Sequence, residues 1–361
     1  MLSKDQAEIK YGNKLLKARS DKLDKQYGEA LFVGNQLYNA VRDAIKETPL
    51  RIHAPVKMAR KVRRSKRTLI ASLSDTHYGS NICKEEMHQM NEYNWQIASR
   101  RTAFFVEQIV HFKEHHRDDT DLVLQINGDI IAGLIHNTEW FADLLTIQHV
   151  GSLSILTQAI SYLARHFNKM QVVCLPGNHG RSVGKADKGR ATTHKWDSYE
   201  TMLYYSLKLC LPHIDFKITE SPFLIYPVQG HLVCQSHGDT VFKPGNPGKS
   251  INMKSLDEQV KSLNSEKTLV GKGKVDILSL GHVHVATVQG LQSGCTAVIN
   301  GCLSGTDPFA QSIGIFANNP TQIVLECTEK YPVGDIRMVK VKEADTDKRL
   351  DAIITPFMGR L

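Results

Sequence analysis

From about residue 68 the chain alternates between short apolar runs and longer amphipathic stretches. The runs with the length and β-branched content of buried strands are 68–74 (TLIASLS), 121–127 (DLVLQIN), 170–175 (MQVVCL), 231–236 (HLVCQS), 275–280 (VDILSL), 284–291 (HVATVQGL), 295–300 (CTAVIN) and 322–327 (QIVLEC). Helical stretches, 92–115 and 140–166, separate the early ones. Strand and helix in alternation, followed by closely spaced strands, predict an α/β core with mixed sheets and helices outside. Residues 4–48 also read as helical, with Ala30, Val33, Leu37, Val41 and Ile45 on one face, until Pro49 and Pro55 break the pattern. The chain thus divides into a mainly helical extension (1–67), a main domain (68–330) and a mixed, charged C-terminal tail (331–361), without an internal repeat.

Composition adds limits. With 361 residues, 41% apolar and 23% charged, the chain has the make-up of a globular protein with a large core. No apolar run approaches the roughly 20 residues that cross a bilayer, and the N-terminus lacks the apolar core of a secretory signal, which predicts a cytoplasmic protein. The seven cysteines include no C-x-x-C pair. They read as small buried hydrophobes in a reducing compartment rather than a disulfide frame or a zinc site.

Charge is unevenly placed. Residues 1–67 hold 17 Lys/Arg against 7 Asp/Glu, a net +10, while the whole chain is only +8. The densest part, Lys57 to Arg67 (KMARKVRRSKR), has no acid at all. A polyanion such as nucleic acid is the natural partner of such a run; a solvated linker is the competing reading.

The candidate chemistry lies where the strands stop. Run 68–74 ends in Asp75-Thr76-His77, run 121–127 in Gly128-Asp129, and run 170–175 in Pro176-Gly177-Asn178-His179-Gly180. Run 231–236 ends in His237-Gly238-Asp239, and run 275–280 in Gly281-His282-Val283-His284. Open α/β sheets place their sites at the carboxyl ends of strands, so these endings are expected to converge in one crevice. Carboxylate, amide and imidazole donors without thiolate suit a pair of divalent cations such as Mn²⁺, Fe or Zn²⁺ rather than calcium. In extended chain Asp75 and His77 would project to the same side and grip one ion, and the two oxygens of Asp129 can bridge two.

The order D-x-H, G-D, G-N-H, H, G-H-x-H over residues 75–284 resembles the calcineurin-like metallophosphoesterases, nearest in character to double-strand-break-repair nuclease subunits. The resemblance implies a four-layer α/β/β/α sandwich in which residues 68–330 form the metallophosphoesterase domain. It implies that Asp75, His77 and His284 hold one metal, Asn178, His237 and His282 the other, with Asp129 bridging and His179 catalytic outside both coordination shells. The activity implied is dimetal-dependent attack of an activated hydroxide on phosphorus, with Mn²⁺ the leading metal and Fe, Zn²⁺ or Mg²⁺ as alternatives. Where many relatives carry Asp, Asn or His three residues after the bridging Asp, this chain has Ala132; His136 could substitute if 130–140 is helical, and a surface histidine without a role is the competing reading.

Two basic stretches flank the expected site. Residues 180–195 include Arg181, Lys185, Lys188, Arg190 and Lys195, and residues 243–274 carry seven lysines; both read as Gly-containing loops. Arg181, Lys185, Lys188 and Arg190 are the candidate substrate contacts, and Trp140, Trp196 and Tyr199 candidate stacking surfaces. Together with the N-terminal charge they point to a phosphodiesterase or nuclease acting on DNA or RNA. A phosphatase or phosphodiesterase for small phosphoesters or phosphoprotein, and a catalytically weak nucleic-acid-binding module, remain the alternatives. Residues 1–48 could also hold a protein partner or a second copy of the chain. Lys243 to Ser250 is not a phosphate loop, since the first glycine of G-x-x-x-x-G-K-S would fall on Lys243.

Overall fold

A computed structural model describes Lys17 and residues 65–115, 119–134, 142–182, 194–245, 250–312, 314 and 319–359. The chain divides into two compact units, residues 1–50 with Leu361, and residues 51–360. Lys17 apart, the helix expected over 4–48 lies outside the described residues, as do most of the Lys57–Arg67 run, His136, Trp140, Lys185, Lys188 and Arg190.

Two sheets organise the larger unit. In the first, β1 (Arg67–Leu73), β2 (Thr120–Asn127), β3 (Met170–Leu175) and β4 (Asp215–Ile218) run parallel, and β10 (Thr321–Thr328) and β11 (Ile336–Lys340) extend it antiparallel in the order β11-β10-β1-β2-β3-β4. The second contains β5 (Phe223–Val228), β6 (His231–Ser236), β7 (Val275–Leu280), β8 (Thr287–Gly290) and β9 (Thr296–Ile299) in the order β5-β6-β7-β9-β8, with β6, β7 and β9 parallel.

Side-chain alternation makes the layers. Leu69 and Leu124 face Phe105 and Ile109 of helix α1 (Trp95–Glu114), Leu156 of α2 (Leu145–Ala164) and Leu203 of α3 (Tyr199–Cys210). Ile70, Val123 and Val173 face Val233, Ile277 and Val298 of the other sheet. The far side of that sheet packs through Leu278 and Leu280 on Leu256, Val260 and Leu263 of α4 (Met253–Ser265), with α5 (Lys267–Val270) following. The result is the expected α/β/β/α order. Because the central strands are buried on both faces, they read in sequence as nearly continuous apolar runs.

Between the sheets the apolar layer gives way to a buried polar one. Ser72 and Ser279 each donate to Gln125 Oε1 at 2.6 Å, Gln125 Nε2 donates to the Tyr226 hydroxyl at 2.7 Å, and that hydroxyl donates to Gln235 at 3.0 Å. Every one of these groups would cost roughly 1–3 kcal/mol if left unpaired, so the network fixes the sheets' mutual register as well as filling space.

Three expectations change. Residues 331–359 are no appended tail: β11 is a paired edge strand, and Arg101, buried on α1, donates to both Asp345 oxygens at 2.7 and 2.8 Å and to the carbonyls of Leu303 and Ser304. Arg100 likewise forks onto Asp351 at 2.8 and 2.9 Å, so two of the segment's acids tie it to α1. The stretch 243–274 is no simple loop, because Leu256, Val260 and Leu263 give it an apolar face that folds as α4 against the second sheet. The run 284–291 is a strand only over Thr287–Gly290, since its first residues belong to a turn with left-handed His282 and His284. All seven cysteines are free, and five are buried. No described helix is long and apolar enough to cross a membrane.

Candidate metal centre

Five strands, β1, β2 and β3 of one sheet and β6 and β7 of the other, deliver their carboxyl-terminal turns to one place. Parallel pairing continues past the strand ends: Asp75 N donates to Gly128 O at 3.0 Å, His77 N to Asp129 O at 3.0 Å, and Gly281 N to His237 O at 2.9 Å. Ligand-competent atoms form three groups, each within 4.8 Å: Asp75, His77 and His284; Asp129, His237 and His282; and His77, Asp129 and His179. The first is the trio expected around one ion; the second holds two of the three residues expected around the other, His237 and His282, with Asp129 beside them, and Asp129 with His77 links the two groups. His179 lies in the same space, so proximity alone does not separate it from the ligands.

The grip is not made as the sequence suggested. Asp75 and His77 do not share a pleat face in extended chain; both are left-handed, at φ 51° and 46°. Asp129, His282 and His284 are left-handed too, at φ 51°, 73° and 63°. Non-glycine residues held there carry strain of order 1–3 kcal/mol each, which persists only where the surroundings enforce it. Here glycine makes the close approach possible: a Cβ on Gly177 would stand 2.1 Å from Asp129 Oδ1.

The carboxylates are held from several sides. His179 N donates to Asp129 Oδ1 at 2.8 Å, and His237 Nε2 stands 3.0 Å from Asp129 Oδ2. His237 is oriented from behind, with Nδ1 2.8 Å from the Asn127 carbonyl. His282 N donates to Asp75 at 3.0 Å, and His284 Nε2 lies 3.4 Å from Asp75 Oδ1 and 3.2 Å from His77 Nε2. Underneath, Asn300 Nδ2 donates to Ser74 Oγ and to Gln322 Oε1, and Gln322 Oε1 accepts from Ser74 N, which braces the Asp75 turn.

These groups fit a pair of cations. Asn178 Oδ1 is buried without a hydrogen-bond partner, an arrangement that costs free energy unless something else satisfies it. Burial and the neighbouring His179 and His284 rings push His77 well below its ordinary range, and burial lowers His282 to about 4. Burial also opposes charge on His237, but the Asp129 carboxylate beside it prevails and raises it to about 10. Burial likewise opposes charge on Asp129, yet His237 and His179 hold its carboxyl well below the usual range. The proton retained on His237 is therefore the one a cation would displace.

Other expected residues stand differently. Position 132 needs no substitute side chain, because the Ala132 carbonyl itself lies 2.7 Å from His179 Nδ1. Residues 130–134 are not helical; Ile131 bridges Tyr78. Lys195 is buried and its ammonium pairs with Asp239, whose carboxyl is held below its usual range against the opposing effect of burial. Arg181 bridges Ser198 through its backbone and is partly buried, and Trp196 is exposed. Sequence reasoning missed Glu200, a fully buried carboxylate beneath the centre that burial and Asp129 raise to about 7. Its only signal is an acid two residues after Ser198 at a helix start, a pattern that ordinarily marks an exposed first turn.

No family model and no curated protein matches the chain. Among solved structures it is similar to an archaeal phosphodiesterase, with 13% identity over 75% of this chain and 98% of that one and a TM-score of 0.35. It is also similar to Yfce, a phosphoesterase from E. coli, with 15% identity over 76% and 94% and a TM-score of 0.33. A hypothetical protein from Pyrococcus horikoshii gives 12% identity over 80% and 92% and a TM-score of 0.40. At these scores the likenesses carry no argument, and the functional reading rests on the geometry above.

Proposed function

We propose that the chain is a dimetal-dependent phosphoester hydrolase of the calcineurin-like kind. The observation that carries this is the convergence of Asp75, His77, Asp129, His237, His282 and His284 at one edge of two sheets, with Asn178 Oδ1, on the turn of His179, buried and without a hydrogen-bond partner. Asp75, His77 and His284 would hold one ion and Asn178, His237 and His282 the other, with Asp129 shared. Two divalent cations, Mn²⁺ foremost, supply neutralisation of phosphoryl oxygens and activation of water. The chain's own part is orientation and proton transfer. Asp129 is fixed at one oxygen by His179 N, and His237 is aimed by the Asn127 carbonyl. His179, with Nδ1–H given to the Ala132 carbonyl, presents Nε2 as the nitrogen that passes a proton to the leaving oxygen.

For the substrate, the reading is a nucleic-acid phosphodiester, supported by the net +10 of residues 1–67. Two observations favour a small phosphoester instead: Asp239 sequesters Lys195, and Lys254 and Lys261 stand on the helix that covers the second sheet. The test is a panel of single- and double-stranded DNA and RNA beside a small chromogenic diester, each with Mn²⁺. Cleavage of a polymer, abolished by Asp129→Asn, is the expected result. Hydrolysis of the small diester alone would refute the polymer assignment, and no hydrolysis of any substrate would refute the enzyme.

A further inference from the structure

Glu200 opens helix α3, where Ser198 Oγ caps its backbone N–H at 3.2 Å and the positive end of the helix favours a carboxylate. Its side chain is fully buried and reaches two separate turns. Oε1 accepts from Ile130 N at 2.5 Å and faces Ile131 N at 3.4 Å; Oε2 accepts from Gly177 N at 2.7 Å. Ile130 directly follows Asp129, and Gly177 directly precedes Asn178. One carboxylate therefore ties the turn that carries the shared ligand to the turn that carries a ligand of one ion. Gly180 leaves the room for this, since a Cβ there would lie 2.4 Å from Glu200 Cγ. The Asp75 turn, though joined to the Asp129 turn through Asp75 N and His77 N, has further braces of its own in Ser74, Asn300 and Gln322.

We infer that Glu200 is a positioning residue that acts chiefly on one of the two metal sites: it sets Asp129, which both would share, against Asn178, which belongs to one, and so bears more on the site completed by His237 and His282 than on that of Asp75, His77 and His284. The inference rests on the dimetal reading above. Glu200 touches neither ion nor substrate. It acts through backbone N–H groups, as partners behind metal ligands do when they are worth about 10–100-fold in affinity.

The test is a Mn²⁺ titration of the full chain, read by calorimetry and electron paramagnetic resonance, with Mn²⁺ alone as the probe. Wild type is expected to bind two equivalents and to show an exchange-coupled pair. Glu200→Gln offers one acceptor and one donor where two acceptors are needed, so one turn loses its partner. It is expected to keep one equivalent within about 3-fold of wild type, weaken the other by about 10-fold or more, and lose the coupled signal. Gly180→Ala, which crowds the carboxylate but keeps it, is expected to weaken the same equivalent; it carries the test if Glu200→Gln does not fold. Unchanged binding of both equivalents, or equal weakening of both, overturns the inference. Wild type that binds two Mn²⁺ yet hydrolyses nothing refutes the hydrolase reading and leaves this comparison intact, whereas wild type that binds fewer than two overturns both.

Discussion

Asp75, His77, Asp129, His282 and His284 sit in left-handed backbone that their side-chain types do not favour, and all five lie in the cluster of candidate ligands. That strain was not legible in the sequence, which shows only that strands end in Asp, His or Asn beside Gly. The residue types and their order along the chain were enough to single out Asp75, His77, Asp129, His237, His282 and His284, which the structure brings together. The backbone that aims them depends on contacts between distant turns, and so does the Ala132 carbonyl that replaces an expected side chain behind His179. Two predictions belong at this scale. His179→Ala should retain Mn²⁺ binding while turnover falls by about 100-fold or more, measured as kcat beside a metal titration. His237 has its pKa raised to about 10 from an ordinary 6.5, so in metal-free protein it is charged at neutral pH and its pairing with Asp129 stabilises the fold. That contribution is complete below about pH 6.5 and is lost as pH rises through 10. Mn²⁺ must displace this proton, whereas His282, lowered to about 4, is already neutral. Binding should release a proton at neutral pH, with affinity rising up to about tenfold per pH unit between about pH 7 and 9; calorimetry in buffers of different ionisation enthalpy measures it. Affinity independent of pH would contradict the assignment of His237 as a ligand.

At the scale of elements, the long central strands and the helices on the first sheet were legible because burial on both faces, or on one helical stripe, writes itself into spacing. The short edge strands were not. β4 spans only Asp215–Ile218, and β5 carries Pro227, tolerated because it lies at a sheet edge. β11 hides in a charged segment, two acids of which, Asp345 and Asp351, pair with arginines on α1. Arg101→Met, which keeps the bulk but removes the fork, should cost roughly 3 kcal/mol by leaving Asp345 and the Leu303 carbonyl without this donor. Urea denaturation measures this; a loss below about 1 kcal/mol would show that the C-terminal segment is held by packing alone.

In the larger unit, two sheets meet face to face so that turns from both close around one point, and this explains why candidate ligands far apart in sequence lie together. The charge of the chain bears on what reaches that point. If residues 1–67 hold a nucleic acid, its KM should rise steeply with salt, following release of counterions, while KM for a small diester should change little. Parallel salt series on both substrates give the comparison, and equal slopes would contradict a polymer-binding role for the extension. The central claim is tested most directly by a crystal structure of the protein soaked in Mn²⁺, with anomalous difference density collected at the manganese edge. The account predicts two peaks sharing Asp129, one beside Asp75, His77 and His284 and the other beside Asn178, His237 and His282. Peaks elsewhere, or none at these side chains, would contradict it.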